Sequence, residues 1–169
     1  MKIYLIGLPG CGKSTLGRQL ARELSVAFID LDQEIEKLVG LSVREIFKQY
    51  GESFFRKQES ETLRTISEAY TEFVMATGGG APVFHDNMKL MNAAGKTVFL
   101  DVPTREITNR ILQSNKNKEE RPLLASLAPD ELKDKIEFLR SQRISFYREA
   151  QITLTEVVGL PDLINAIRD

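Results

Sequence analysis

A chain of 169 residues is sized for one domain with a substantial core. Its net charge of −1, from 23 basic and 24 acidic residues, leaves no electrostatic footprint for nucleic acid or an anionic membrane. A single cysteine excludes an intrachain disulfide, and one cysteine with one histidine makes a zinc centre improbable. No apolar run reaches transmembrane length and no signal peptide precedes the first strand-like segment, so a cytoplasmic location is expected.

That first segment, Ile3–Ile6, is apolar and rich in strand formers. It leads into Gly7-Leu8-Pro9-Gly10-Cys11-Gly12-Lys13-Ser14, which fits the phosphate-loop pattern G-x-x-x-x-G-K-[ST] without a gap. Leu16, Leu20 and Leu24 then recur every fourth residue, predicting a helix from Lys13 onward. Such a helix start aims free N–H groups and a positive dipole end at an anion. Lys13 adds a full charge for the β and γ phosphates, and the Ser14 hydroxyl can ligate Mg2+. Cys11 reads as a small filler of the loop.

Further strand-like runs are Val26–Ile29, Glu72–Ala76, Thr97–Leu100 and, more weakly, Gln151–Leu154, with helical patterns between them. This alternation predicts an α/β fold with a mainly parallel sheet and helices on both faces. Ligands of such sheets bind beyond the carboxyl ends of the strands. The rule brings the phosphate loop, Asp30-Leu31-Asp32, Thr77-Gly78-Gly79-Gly80 and Asp101 to one edge. Asp30 and Asp32, two apart in extended chain, are predicted to point the same way. One can support Mg2+ and the other can take a proton from a hydroxyl. Asp32 is also placed to cap the helix that follows.

Val43 to Tyr50 is predicted as a short amphipathic helix with Val43, Ile46, Phe47 and Tyr50 inward, broken by Gly51-Glu52. Arg56 opens the next helix beside an apolar stripe, where it either snorkels or clamps an anion. Gly78 to Gly80 make sense where backbone must approach a ligand closely. His85 is a surface residue by default. Pro103 to Gln113 reads as a helix with Ile107 and Ile111 inward and Arg110 beside them. The polar stretch 114–126 carries Arg121 before a proline and reads as a connector or a lid. From Asp130 to Arg148, Leu132, Ile136, Leu139, Arg143 and Phe146 fall on one helical face. An inward guanidinium needs an anionic partner, either a structural Glu or a ligand carboxylate.

Taken together and in order, G-L-P-G-C-G-K-S-T, D-L-D, G-E-S-F-F-R-K-Q-E, G-G-G-A, R-P-L-L and the R-x-x-x-Y-R of Arg143 to Arg148 closely resemble the shikimate kinase family. The resemblance spans nearly the whole chain. It implies a three-layer P-loop kinase fold with a five-stranded parallel sheet in the order 2-3-1-4-5. It implies a single domain over 1–169, with a lid at about 114–126 and a substrate-binding helical region at about 32–68. The implied reaction moves the ATP γ-phosphoryl group to the 3-hydroxyl of shikimate, with Mg2+, on the route to chorismate and the aromatic amino acids. By position, Gly10, Cys11, Gly12, Lys13, Ser14 and Thr15 would surround the ATP phosphates. Ser14 would ligate Mg2+ and Asp30 would support it through water. Asp32 would bind the reacting hydroxyl and act on its proton. Arg56 and Arg143 would pair with the shikimate carboxylate, and the Gly79 backbone would meet the ring. Arg121 would reach the phosphates, and Arg110 would lie near adenine. A monomer is expected, with no nucleic-acid or membrane partner.

The chain departs from the family pattern at Thr155 to Gly159, where an Arg- or Asn-rich adenine loop is common. A kinase of another hydroxylated acid, such as gluconate, would share the phosphate loop and acidic pair but not F-R-K-Q-E with the triple glycine. A nucleotide switch without an acceptor would not need paired inward arginines.

Overall fold

The computed structural model describes residues 1–114 and 127–168. Among them, five parallel strands form one sheet in the order β2-β3-β1-β4-β5, as expected. The strands are β1 (Lys2–Ile6), β2 (Ala27–Asp30), β3 (Phe73–Ala76), β4 (Lys96–Asp101) and β5 (Ile152–Thr155). Ile3 to Ile6, Phe73 to Met75 and Val98 are fully buried. A parallel sheet covered on both faces demands such uninterrupted apolar runs, which is why β1, β3 and β4 do not alternate with polar residues. Fully burying one such side chain stabilises the fold by about 1.5–3 kcal/mol.

The helices are α1 (Lys13–Glu23), α2 (Leu31–Val39), α3 (Val43–Ala69), α4 (Asn87–Ala94), α5 (Thr104–Gln113), α6 (Pro129–Tyr147) and α7 (Leu160–Arg168). A short 3-10 turn, Ala81–Val83, follows the triple glycine. Helix α1 lies close on the sheet because Gly17 has no side chain: a Cβ there would sit 2.7 Å from Phe28 Cε2. Helix α3 begins with a reciprocal cap between Ser42 and Glu45. The expected break at Gly51 is a kink within α3, where Gly51 holds φ 83°.

Four local expectations are corrected. Strand β2 runs one residue further, so Asp30 ends the strand while Asp32 sits in the first turn of α2. The two carboxylates are therefore not neighbours on one extended face. The cap of α2 is Asp30, whose side chain accepts from the Gln33 N–H at 3.4 Å, and not Asp32. Tyr50 is exposed, its ring against Phe54 rather than in the core. On α6 the buried aromatic is Tyr147, while Phe146 is only half-buried. A step of four from Arg143 reaches the sheet and a step of three does not.

Candidate active site

The carboxyl edge of the sheet gathers the elements that the strand-end rule names. The phosphate loop hangs between β1 and α1. Gly10 and Gly12 hold φ of 86° and 103°, a left-handed backbone that side chains resist, so the chain turns tightly around the space above α1. Lys13 is buried and its ammonium donates to the Gly7 and Leu8 carbonyls at 2.8 and 2.9 Å. The charge is thus folded across the mouth of the loop. Cys11 is buried, with its Sγ 3.7 Å from Lys13 Nζ. Arg110, from α5, donates to the Cys11 carbonyl at 3.1 Å and to Glu106 at 3.0 Å. Thr15 is exposed in the first turn of α1.

Beside the loop, the Ser14 hydroxyl donates to Asp30 Oδ2 at 3.0 Å. A hydroxyl and a carboxylate oxygen held together form a hard-oxygen pair at a helix start.

The other side of the edge is built around Gly78-Gly79-Gly80, directly after β3. Each glycine gives its side-chain space to a different charged group. A Cβ on Gly78 would lie 2.9 Å from Asp32 Oδ1 and 2.8 Å from Glu59 Oε2. On Gly79 it would lie 2.9 Å from an Arg143 Nη1, and on Gly80 it would collide with the Arg56 guanidinium. The triple glycine is therefore a contact strip for two carboxylates and two guanidinium groups.

The two arginines differ. Arg56 is buried and donates to Glu59 Oε1 at 2.8 Å and Glu52 Oε1 at 3.3 Å. It also lies over the rings of Phe84, at 4.5 Å, and Phe55, at 5.2 Å. It neither snorkels nor stands alone. Arg143 is half-buried, and against a larger rise from burial its charge pulls the Tyr147 hydroxyl toward a lower pKa. Among the described residues, no carboxylate lies within salt-bridge distance of Arg143. Tyr147 in turn donates to the Gly79 carbonyl. Burial pushes the Tyr147 phenol up to about 12, so it stays a donor at neutral pH.

Glu59 closes the F-R-K-Q-E motif, yet the sequence alone gives it no role. It is fully buried, and its Oε2 accepts no hydrogen bond among the described residues. Burial pushes its carboxyl up to about 7, against the opposing pull of Arg56; the nearby Asp32 charge adds to the rise. Its signal was the spacing Arg56, Glu59, Leu63, Ile66, one helical face carrying an ion pair into the core. Tyr147 and Glu52 stand in the quoted motifs without a role of their own, and the Arg140–Asp101 pair, 2.8 Å apart, has no sequence signal. Asp32, Arg56, Gly79 and Arg143 do converge. Arg110 reaches the phosphate loop. Arg121 lies outside the described residues, as does the proposed lid apart from Ser114.

The family model for shikimate kinase matches residues 9–162 of the chain. A shikimate kinase of Bacteroides fragilis is 44% identical over 150 residues, covering 89% of this chain and 82% of the relative. The crystal structure of shikimate kinase from Bacteroides thetaiotaomicron superposes with a TM-score of 0.89 at 38% identity, covering 99% of this chain and 94% of that one. A shikimate kinase from Acinetobacter baumannii, in complex with shikimate, superposes at 0.83 with 33% identity, covering 96% and 87%. With this sheet order, this phosphate loop and these relatives, the chain belongs to the shikimate kinase family, enzymes that phosphorylate shikimate with ATP in aromatic biosynthesis.

Proposed function

We propose that the strip Gly78–Gly80 holds shikimate between Asp32 and Arg143, with its 3-hydroxyl toward Asp32 and its carboxylate toward Arg143 and Arg56. The observation that carries this reading is that Asp32 faces Gly78 while Arg143, with no carboxylate partner among the described residues, faces Gly79. A ligand with a hydroxyl at one end and a carboxylate at the other has the length and chemistry to meet both groups at once. Asp32 takes the proton of the 3-hydroxyl as its oxygen attacks the γ phosphorus, and ADP leaves. Lys13 exchanges its two carbonyl partners for phosphate oxygens and stabilises the charge on the transferring group. Gly10, Cys11, Gly12 and Thr15 border the phosphates, and Arg110 borders the adenine side of the loop.

Ser14 and Asp30 fit Mg2+, since their oxygens are already paired and Mg2+ takes its remaining ligands from water and phosphate. Bound there, Mg2+ would neutralise phosphate charge. Arg121 adds a further cation to the phosphates from the 114–126 segment, acting as a lid, while residues 32–68 form the substrate-binding region of a single domain. The protein works as a cytoplasmic monomer without nucleic-acid or membrane partners. Among the described residues no helix is long and apolar enough to cross a membrane.

A coupled ADP-release assay with shikimate, quinate, gluconate or no acceptor tests the reading. Turnover should depend on shikimate and be weak with the other acids. Preference for gluconate, or turnover without any acceptor, would overturn it.

A further inference from the structure

Helix α6 meets the sheet at two places, one on each side of Arg143. Four residues after Arg143, the Tyr147 ring lies 5.1 Å from Phe99 of β4, and its hydroxyl bonds Gly79. Three residues before it, Arg140 donates from Nη2 to Asp101 Oδ1 at 2.8 Å, and both side chains are largely covered. Arg140, Arg143 and Tyr147 are spaced three and four apart, so all lie on the helix face turned to the sheet edge. Asp101 is the last residue of β4, and β4 pairs with β1 where β1 enters the phosphate loop, Ile6 against Phe99.

We propose that Arg140 and Asp101 form a positioning pair that sets the angle of Arg143 toward the carboxylate of the acceptor. The geometry supports this over a surface ion pair of no consequence. Leu132 and Ile136 bury the amino-terminal half of α6, and the helix packs on α5, so both ends are held and Arg143 lies between them. The Arg140–Asp101 pair adds an attachment one turn before Arg143, close enough to fix the rotation of the helix at that residue. A guanidinium that holds a carboxylate through two parallel bonds tolerates little misorientation. The pair also anchors the acid-binding helix to the strand that borders the nucleotide loop, so both substrates are referenced to β4. This inference rests on the reading of Arg143 as the carboxylate clamp.

Steady-state kinetics on the full chain test it. Arg140→Met keeps an unbranched apolar stem and removes the charge, Asp101→Asn keeps the shape, and Arg140→Lys keeps a donor. Arg140→Met and Asp101→Asn should each raise the KM for shikimate by roughly three- to tenfold, the scale of a partly covered ion pair. The KM for ATP and kcat should move less than about twofold. The double variant should be no worse than either single one, and Arg140→Lys should recover much of the loss. An unchanged KM for shikimate in folded single variants would overturn the proposal, as would additive effects or a lowered Tm alone. If Arg140→Met does not fold, Asp101→Asn and Arg140→Lys decide by the same readout. Arg143→Lys separates the two failures. If it weakens shikimate binding while Arg140→Met does not, the positioning pair fails alone. If Arg143→Lys has no effect, the clamp reading fails first.

Discussion

The phosphate side and the acid side of this site are assembled in opposite ways. The phosphate side is centred on one covalent stretch, Gly7 to Ser14, whose Lys13 is bonded to two carbonyls of the same loop while Ser14 reaches Asp30 at the end of β2. The acid side is drawn from α2, α3, α6 and the loop after β3, and its residues meet only when the sheet has formed. Its charges are unevenly satisfied, with Arg56 paired twice and Arg143 paired with no carboxylate among the described residues. The phosphate side can therefore be shared by enzymes with many acceptors. On the proposed reading, choice of acceptor belongs to the side whose residues converge from separate elements.

Breaking the phosphate side should have the largest effect. Lys13→Met removes the charge aimed at the transferring group, and kcat should fall by roughly 10³-fold while the circular dichroism spectrum is retained. Near wild-type turnover would sink the phosphate-loop assignment. At the junction of the two sides, Asp32→Asn keeps the shape and removes the proton acceptor. A fall in kcat on the order of 10²-fold is expected. A change confined to the KM for ATP would move Asp32 to the metal site.

The acid side should also show itself in stability. Glu59 has a folded pKa of about 7 against an ordinary value of 4.5, so the folded state holds its proton more tightly than the unfolded state. That contribution is fully present below pH 4.5 and is lost as pH rises through about 7. Between those values, wild type should lose on the order of 3 kcal/mol of unfolding free energy relative to Glu59→Gln. The comparison is of slopes, because Gln also leaves Arg56 without one anion. Parallel stability profiles from denaturant titrations across this range would show that Glu59 titrates normally.

The contrast also explains what could be read from the chain alone. The phosphate loop was legible because its ligands are adjacent in sequence and each residue type has one physical use there. The sheet order followed from the resemblance, and the buried strands from their apolar runs. A one-residue error at β2 was enough to misplace Asp32, since the switch from strand to helix at Leu31 changes which neighbours a side chain faces. Glu59, though part of the F-R-K-Q-E motif, has no legible role because a helical Glu is exposed by default. Its burial is decided by Arg56 on the preceding turn and by the glycine strip 78–80, which no local pattern reveals. Tyr147 was lost to Phe146 because steps of three and four both suit a helix of 3.6 residues per turn. Only packing against Phe99 selects between them.

On the proposed reading, Arg143 is kept for a ligand carboxylate and is not a core ion-pair residue. Calorimetric titration of shikimate into Arg143→Lys, with thermal melts of the same sample, tests it most directly. An ammonium cannot reproduce two parallel bonds to a carboxylate. Shikimate affinity should therefore fall by roughly 1.5–3 kcal/mol, the worth of a charge-assisted bond, while ATP affinity and Tm stay close to wild type. A variant with a lowered Tm and wild-type shikimate affinity would contradict the claim and make Arg143 a structural residue.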